Sequence, residues 1–222
     1  MLTVKWSVPA EFKGLKIALT IIDGVRVEEK REDVEALKRK VESEVRRKYC
    51  LESLKDVPEI KSYRQLFWRM GIDPTKHRPA SEALIRRILR GKQIPRILNV
   101  VDLYNIASIE TLVTMSAYDL NKVKPPLLVR SARSSEKLRL IGGRRIELTG
   151  RELVLVDSEK PLCVYAHSDT EAAKVSLSSE SLLLIAYGSW GFSEEKLVGA
   201  VSKAASYILE YAGGERGETR VF

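Results

Sequence analysis

Leu153-Val154-Leu155-Val156-Asp157-Ser158-Glu159-Lys160-Pro161-Leu162-Cys163-Val164-Tyr165 sets two short apolar runs, rich in β-branched residues, on either side of a polar turn. Runs of this kind predict strands. The same grammar extends outward over 127–129, 138–141, 145–148 and 181–187, with Gly, Asp and Ser turns between the segments. Gly142-Gly143 reads as a hairpin turn. Residues 1–25 also read as strands, with a β-branched, apolar run at 16–22 followed by the turn pair Asp23-Gly24.

Helical periodicity fills most of the space between. Val34, Leu37, Val41 and Val45 recur at helical spacing within 29–48, with acids near the start and bases at the end, as the helix dipole prefers. A capping box at Ser62-x-x-Gln65 and Gly71 bound a helix over 62–70, and Ser81 and Gly91 bound another over 81–90. Pro74 and Pro79 hold the linker between them out of the helical region. Ile106, Ile109, Leu112 and Val113 share a face over 105–113, and Ser193 caps a final helix over 193–211. The tail 213–222 is expected to fray. These elements predict an α/β fold of the α+β type: one compact domain over 1–222, with a mixed sheet from 127 onward flanked by helices.

Composition excludes several classes. The chain has 222 residues, 44% hydrophobic, and its longest apolar run is Leu182 to Ala186, far short of the ~20 residues that cross a bilayer. With no basic-then-apolar leader, the expectation is a cytoplasmic protein without a membrane partner. Two cysteines, Cys50 and Cys163, cannot build a disulfide framework, and two histidines, His77 and His167, leave little for metal or triad chemistry. No metal and no cofactor are expected.

The net charge is +8, and its distribution says more than its size. Residues 61–96 hold ten basic and two acidic side chains, so the whole excess lies there, as expected of a surface that meets polyphosphate. Arg64, Arg69, Lys76, Arg78, Arg86, Arg87 and Arg90 are expected to face one side and contact RNA. Arg stems packed on apolar neighbours are the alternative reading.

The segment Tyr63-Arg64-Gln65 through Gly71-Ile72-Asp73-Pro74-Thr75-Lys76, then Arg78-Pro79-Ala80-Ser81-Glu82-Ala83-Leu84-Ile85-Arg86-Arg87 and Ile94-Pro95, resembles the free-standing relatives of the editing (B-three/B-four) domain of the phenylalanyl-tRNA synthetase beta subunit. The resemblance continues through Asn99-Val100-Val101-Asp102-Leu103-Tyr104-Asn105, Ala117-Tyr118-Asp119-Leu120, Leu127-Leu128-Val129-Arg130 and Glu152-Leu153-Val154-Leu155-Val156-Asp157. It covers roughly 60–190, leaving 1–59 as a strand–helix flank and 191–212 as a C-terminal helix. It implies a cleft in which a wrongly attached amino acid on tRNA is cleaved by water, a reaction that needs positioned polar groups and no protein nucleophile. The chain departs from the bacterial pattern twice. Ser116 stands where a His is found in Met-His-Ala-Phe-Asp, and Ile185 aligns with a Glu in Leu-Leu-Glu.

Asn105, Ser116 and Asp119 are expected to serve catalysis and Asp102, Tyr118, Arg130, His167 and Asp169 to bind substrate. Ser116, Tyr118 and Asp119 fall in the pocket segment the resemblance matches, Asp102 and Asn105 are polar within an apolar stretch, Arg130 ends a strand, and His167 and Asp169 lie in a polar loop between strands. Asn105, Ser116, Tyr118 and Asp119 are expected in one cleft, reached by the strand that bears Arg130. Each residue has a plainer role available: Asp102 or Asn105 as a helix cap, Tyr118 half-buried, Asp119 starting a turn, Arg130 paired to a carboxylate and His167 solvated. Lys174 and Ser176 are placed where they could meet the tRNA end, and His77 where it could meet phosphate. Two functions remain open: a trans-editing hydrolase whose partner is tRNA or aminoacyl-tRNA, with no DNA implied, and a non-catalytic RNA- or small-ligand-binding module of the same fold.

Overall fold

The computed structural model describes residues 2–222. In chain order the elements begin with β1 (Val4–Ser7), β2 (Ile17–Asp23), α1 (Glu32–Lys48), α2 (Pro58–Arg69), α3 (Ala80–Leu89) and α4 (Asn99–Thr111). There follow β3 (Thr114–Asp119), β4 (Leu127–Ser131), β5 (Lys137–Arg139), β6 (Arg145–Glu147), β7 (Leu153–Val156), β8 (Pro161–Val164) and β9 (Ser168–Asp169). The chain closes with β10 (Ser181–Tyr187), α5 (Glu194–Ala212), β11 (Glu215–Arg216) and β12 (Arg220–Val221). The whole is a compact α+β fold.

The strands divide between two sheets and a separate hairpin. One sheet runs β1-β4-β7-β8-β9 and the other β11-β2-β10-β3, with β12 also on β2, while β5 and β6 pair with each other. Only β1 and β4 are parallel among the paired strands; the rest are antiparallel. Alternation along β2 and β10 explains how the sheets stack. Ile17, Leu19, Leu183, Ile185 and Tyr187 meet Leu127, Val129 and the apolar residues of β7 and β8 in one core. Their alternates Ala18, Ile22, Leu182, Leu184 and Ala186 meet Val100, Leu103 and Ala107 of α4 and Leu197, Val201 and Ala205 of α5 in a second. A third core joins Val41 and Val45 of α1, Ile85 and Ile88 of α3, and Ile106 and Ile109 of α4. The molecule is therefore layered: sheet, sheet, α4 with α5, then α1 with α3.

Helix starts depart from expectation at two of the three serines with capping patterns. α2 opens at Pro58, a residue whose missing N–H costs nothing in the first turn. Ser62 then sits inside the helix and donates to Trp190 O at 2.7 Å, with its hydroxyl also 2.7 Å from Ser189 Oγ. Ser81 is likewise interior and buried, with no partner for its hydroxyl among the described residues. α4 begins at Asn99, so Asp102 and Asn105 are interior residues and not caps. Ser193 does cap α5, accepting from Lys196 N at 3.2 Å. Thr114–Asp119, within a stretch of mixed sequence pattern, is a strand buried at every position.

The tail is the other correction. Instead of fraying, it lies along the outer edge of β2: Ile17 N donates to Phe222 O and Phe222 N to Ile17 O, both at 2.9 Å. Gly217 N donates to Ile21 O at 2.9 Å, and Thr20 Oγ1 donates to Gly217 O at 3.0 Å. An unpaired β2 edge would leave those backbone groups to solvent or to a second molecule. Among the described residues no helix is long and apolar enough to cross a membrane.

Deleting residues 214–222 is expected to lower stability by roughly 4 kcal/mol, at ~1 kcal/mol for each of the four hydrogen bonds named. Urea melts of full-length and truncated chains measure the difference; equal midpoints would show the tail to be dispensable.

Candidate functional site

β3 is paired by β10 on one side and ends its sheet on the other. A cavity of about 580 Å³ lies along that free side, walled by α4, by β3 and by the β8–β9 corner. An edge strand turns alternate N–H and C=O groups away from its sheet, so the cavity is lined in part by backbone donors and acceptors. Its side-chain polar groups come from distant parts of the chain: Asn105 on α4, Ser116 on β3, His167 and Ser168 at the corner, Asp169 on β9, and Lys174. The corner itself is tight. Ala166 is buried at φ +54°, a conformation costly to a residue with a Cβ, and His167 N donates back to Val164 O at 2.9 Å.

Asp169 is the centre of the polar wall. Its Oδ1 accepts from Ser116 Oγ at 2.9 Å and from Tyr118 OH at 2.7 Å. Behind Tyr118 the hydroxyl of Tyr187 lies at 2.8 Å, and Cys163 Sγ lies 3.3 Å from that hydroxyl. An ionised carboxylate only accepts, so the chain of donors runs one way, from the Cys163 thiol through Tyr187 and Tyr118 to Asp169. Oδ2 of Asp169 receives no hydrogen bond from the described residues and is the oxygen left to the cavity. Burial raises the Asp169 carboxyl from 3.8 to about 6, against the lowering effect of the Tyr118 and Ser116 hydrogen bonds. The same burial raises the Cys163 thiol to about 12, so it stays protonated and is no nucleophile.

Asn105 adds an amide with no hydrogen-bond partner among the described residues, on the α4 wall of the same cavity. His167 bonds Ser168 Oγ through Nδ1 at 2.8 Å and packs against the rings of Phe67 and His77, at 5.5 and 5.6 Å between centroids. Burial, then the charges of His77 and Arg144, lower His167 to about 4, so it is neutral at neutral pH.

The structure therefore gathers Asn105, Ser116, His167 and Asp169 at one cavity, with Tyr118 holding Asp169 from behind. Three residues expected there lie elsewhere. Asp119 ends β3 and turns to Ser179 Oγ at 2.8 Å and Lys122 Nζ at 3.0 Å, also accepting from Asn121 N. Burial raises its carboxyl, but these partners outweigh that and hold it below the usual range. Asp102 is buried against Lys38 at 3.1 Å and accepts from Ile97 N at 3.0 Å, joining α4 to α1. Arg130 is clamped to Glu136 through Nη1 at 2.9 Å and Nη2 at 2.7 Å. Lys174 lines the cavity paired to Glu171 at 2.6 Å, and Ser176 stays within a serine cluster with Ser178 and Ser179.

The basic segment is partly turned inward. Arg64 and Arg86 converge on the fully buried Glu82 at 2.9 and 2.7 Å, with Arg78 at 3.9 Å. Arg69 lies over the Trp190 ring at 5.2 Å. Lys76, Arg78, Arg86, Arg87 and Arg90 do share one open depression with Lys92, so five of the seven expected residues meet on one side. Among the described residues no group of three or more His, Cys, Asp or Glu is gathered to hold a metal ion.

A family model described as the B3/4 domain matches residues 62–213. Among curated proteins, the chain is similar to the phenylalanine–tRNA ligase beta subunit of Hahella chejuensis, 35% identical over 133 residues, which is 60% of this chain and 16% of that one. It is also similar to that of Aquifex aeolicus, 41% identical over 71 residues, 32% of this chain and 9% of that one. The chain thus spans a fifth or less of the length of the curated relatives it matches. Its fold is similar to an N-terminal fragment of the phenylalanyl-tRNA synthetase beta subunit from Pyrococcus horikoshii, with a TM-score of 0.53 at 16% identity, covering 97% of this chain and 50% of that fragment.

Two stability outcomes separate the cavity carboxylate from the structural one. Between pH 4 and 6 the folded chain holds a proton on Asp169 that the unfolded chain has lost, so stability falls as pH rises through that window. Asp169→Asn is therefore expected to stabilise by up to about 3 kcal/mol at pH 7 and by nothing near pH 3, read from denaturant midpoints across pH. Asp102→Ala leaves Lys38 buried without one of its carboxylates and is expected to cost ~3 kcal/mol at neutral pH in the same assay.

Proposed function

The chain belongs to the B3/4 domain family, and from that membership we propose that its cavity receives the acylated end of a tRNA and hydrolyses the ester that joins a wrongly attached amino acid to the terminal ribose. The observation that carries the reading is Asp169, saturated at Oδ1 by Ser116 and Tyr118 and free at Oδ2, facing an unpartnered Asn105 amide across one cavity. A carboxyl near 6 is ionised at neutral pH yet basic enough to take a proton, which is what a general base for water needs.

In this mechanism a water held on Asp169 Oδ2 gives that oxygen a proton as it attacks the ester carbonyl. The carbonyl oxygen takes up the negative charge, stabilised by the Asn105 amide. Collapse breaks the bond to the ribose oxygen, and the protonated Asp169 returns its proton to that oxygen. Ser116 and Tyr118 hold the carboxylate in place throughout. Neutral His167 completes the wall without adding charge. Apolar residues such as Val101, Met115 and Val175 surround the amino-acid side chain. The protein's place would be the cytoplasm, where charged tRNA is made.

The β3–β10 register sets Ile185 directly opposite Ser116. The two positions that depart from the bacterial pattern are thus cross-strand neighbours, and the acidic group of this cavity comes from β9 instead. That substitution is what favours the second reading, a binding module of the same fold without chemistry.

Incubation with a panel of mischarged tRNAs decides between them. Under the hydrolytic reading the wild-type chain deacylates at least one of them, and the rate falls as pH drops below about 6. Asp169→Asn is expected to lower that rate by roughly 10²–10⁴-fold, the usual worth of a general base, and Asn105→Ala by roughly 10²-fold, with tRNA affinity kept in both. Wild-type deacylation no faster than buffer across the panel would leave the binding module standing alone.

A further inference from the structure

The charge count along the chain points to 61–96, but a second group of exposed cations, without salt bridges among the described residues, borders the cavity on a different element. β5 and β6 form a two-stranded hairpin in which Lys137 faces Glu147, Leu138 faces Ile146, and Arg139 faces Arg145. Leu138 is buried, whereas Lys137, Arg139, Arg144 and Arg145 are exposed and make no salt bridge with the described residues. Two arginines directly opposite each other on a ladder repel. Glu147, on the same face opposite Lys137, offsets one of these charges, while Glu136 is taken by Arg130 and Glu171 by Lys174 and the Gly142 N–H, so the face keeps an excess of positive charge. An arrangement of this kind is stabilised by an external anion that bridges both guanidiniums.

The hairpin is also built into the cavity. Leu140, Ile141 and Arg144 line it, and Ile141, half-exposed, faces the mouth together with half-exposed Ile97. Ile141 N donates to Asp169 O at 3.0 Å and Leu140 bridges Thr170, so the hairpin tip is fastened to the strand that carries Asp169. At its base, the Arg130–Glu136 clamp ties the hairpin to β4, and the Leu148 N–H to Glu136 O bond joins its two arms.

We propose that the outer face of the β5–β6 hairpin, Arg139 and Arg145 with Lys137, together with Arg144 at the cavity wall, binds the sugar–phosphate backbone of the RNA strand whose acylated end occupies the cavity. The inference rests on the proposed function for the occupant of the cavity and adds the element that holds the strand leading to it. An RNA strand fits better than a membrane surface because the cationic face adjoins a concave mouth, and the apolar residue at its tip belongs to that mouth.

The probe is unfractionated deacylated tRNA, with affinity measured across a salt series. For Arg139→Ala with Arg145→Ala, the slope of log affinity against log salt should fall by about 1.4 to 1.8 from that of wild type, at ~0.7–0.9 for each phosphate no longer neutralised. Arg139→Lys with Arg145→Lys should keep most of the slope, which separates removal of charge from a disturbed hairpin. With a mischarged tRNA as substrate, the alanine pair should raise KM and leave kcat within twofold. An unchanged slope in the alanine pair overturns the proposal. So does an alanine pair that no longer binds phosphatidylserine vesicles while its tRNA binding stays intact. A wild-type chain that binds tRNA through this hairpin but deacylates nothing sustains the proposal and removes only the hydrolytic reading.

Discussion

Everything in this fold is arranged around a strand that has no surface of its own. β10 is buried on both faces, one against the second sheet and the other against α4 and α5, and it is paired on both edges, by β2 and by β3. Burial of Leu182, Leu183, Leu184 and Ile185 contributes on the order of 1.5–3 kcal/mol each. A strand so placed forces its neighbours to carry the exposed edges. On the β2 side the edge is closed by the returning tail; on the β3 side it stays open for most of its length and becomes the wall of the cavity.

That open edge explains the chemistry available there. β3 alternates between two environments, with Met115 and Ala117 toward the helices and Ser116 and Tyr118 toward the second sheet. Only the second pair can reach Asp169 on β9. The carboxylate is thus held by groups from the opposite sheet, in a place where its own solvation is poor, and its raised pKa is the physical sign of that compromise. Structural carboxylates in the same molecule differ in having both oxygens taken: burial raises Asp102 too, but Lys38 and the Ile97 N–H hold its two oxygens. Asp157, for instance, accepts from the Lys124, Glu159 and Lys160 backbone N–H groups and from Lys160 Nζ, and is held below its usual range although burial opposes this. A carboxylate satisfied on all sides stabilises a turn; one left with an unpartnered oxygen in a cavity is available for work on a ligand.

The same distinction applies to cations. Glu82, fully buried, draws Arg64 and Arg86 inward and Arg78 toward it, so the densest basic stretch of the chain spends part of its charge on joining α2 to α3. The hairpin cations have no such partner. Charge counted along the sequence thus overstates what 61–96 presents to solvent, although Lys76, Arg87, Arg90 and Lys92 of that stretch stay exposed.

The sequence by itself determined the local elements. Periodicity placed four helices to within about one turn but missed the start of α4, which opens at Asn99 and not at 105; β-branched runs placed the strands of the second half, and Gly142-Gly143 marked the hairpin whose two glycines take positive φ. The excess of positive charge over 61–96 and the family resemblance were also legible, because both are properties of residues close together in the chain. The tertiary structure alone decided which polar residues meet. Asp119 and Asp169 are equally plausible carboxylates by sequence, yet Asp119 finds Ser179 and Lys122 while Asp169 finds Ser116 and Tyr118, partners more than fifty residues away. Ser62 and Ser81 carry good capping patterns, and one bonds across the molecule while the other is simply enclosed. The reason is the same in each case: a capping or acid–base tendency belongs to the residue, whereas the partner that realises it is supplied by packing between segments whose distance in sequence says nothing about their distance in space.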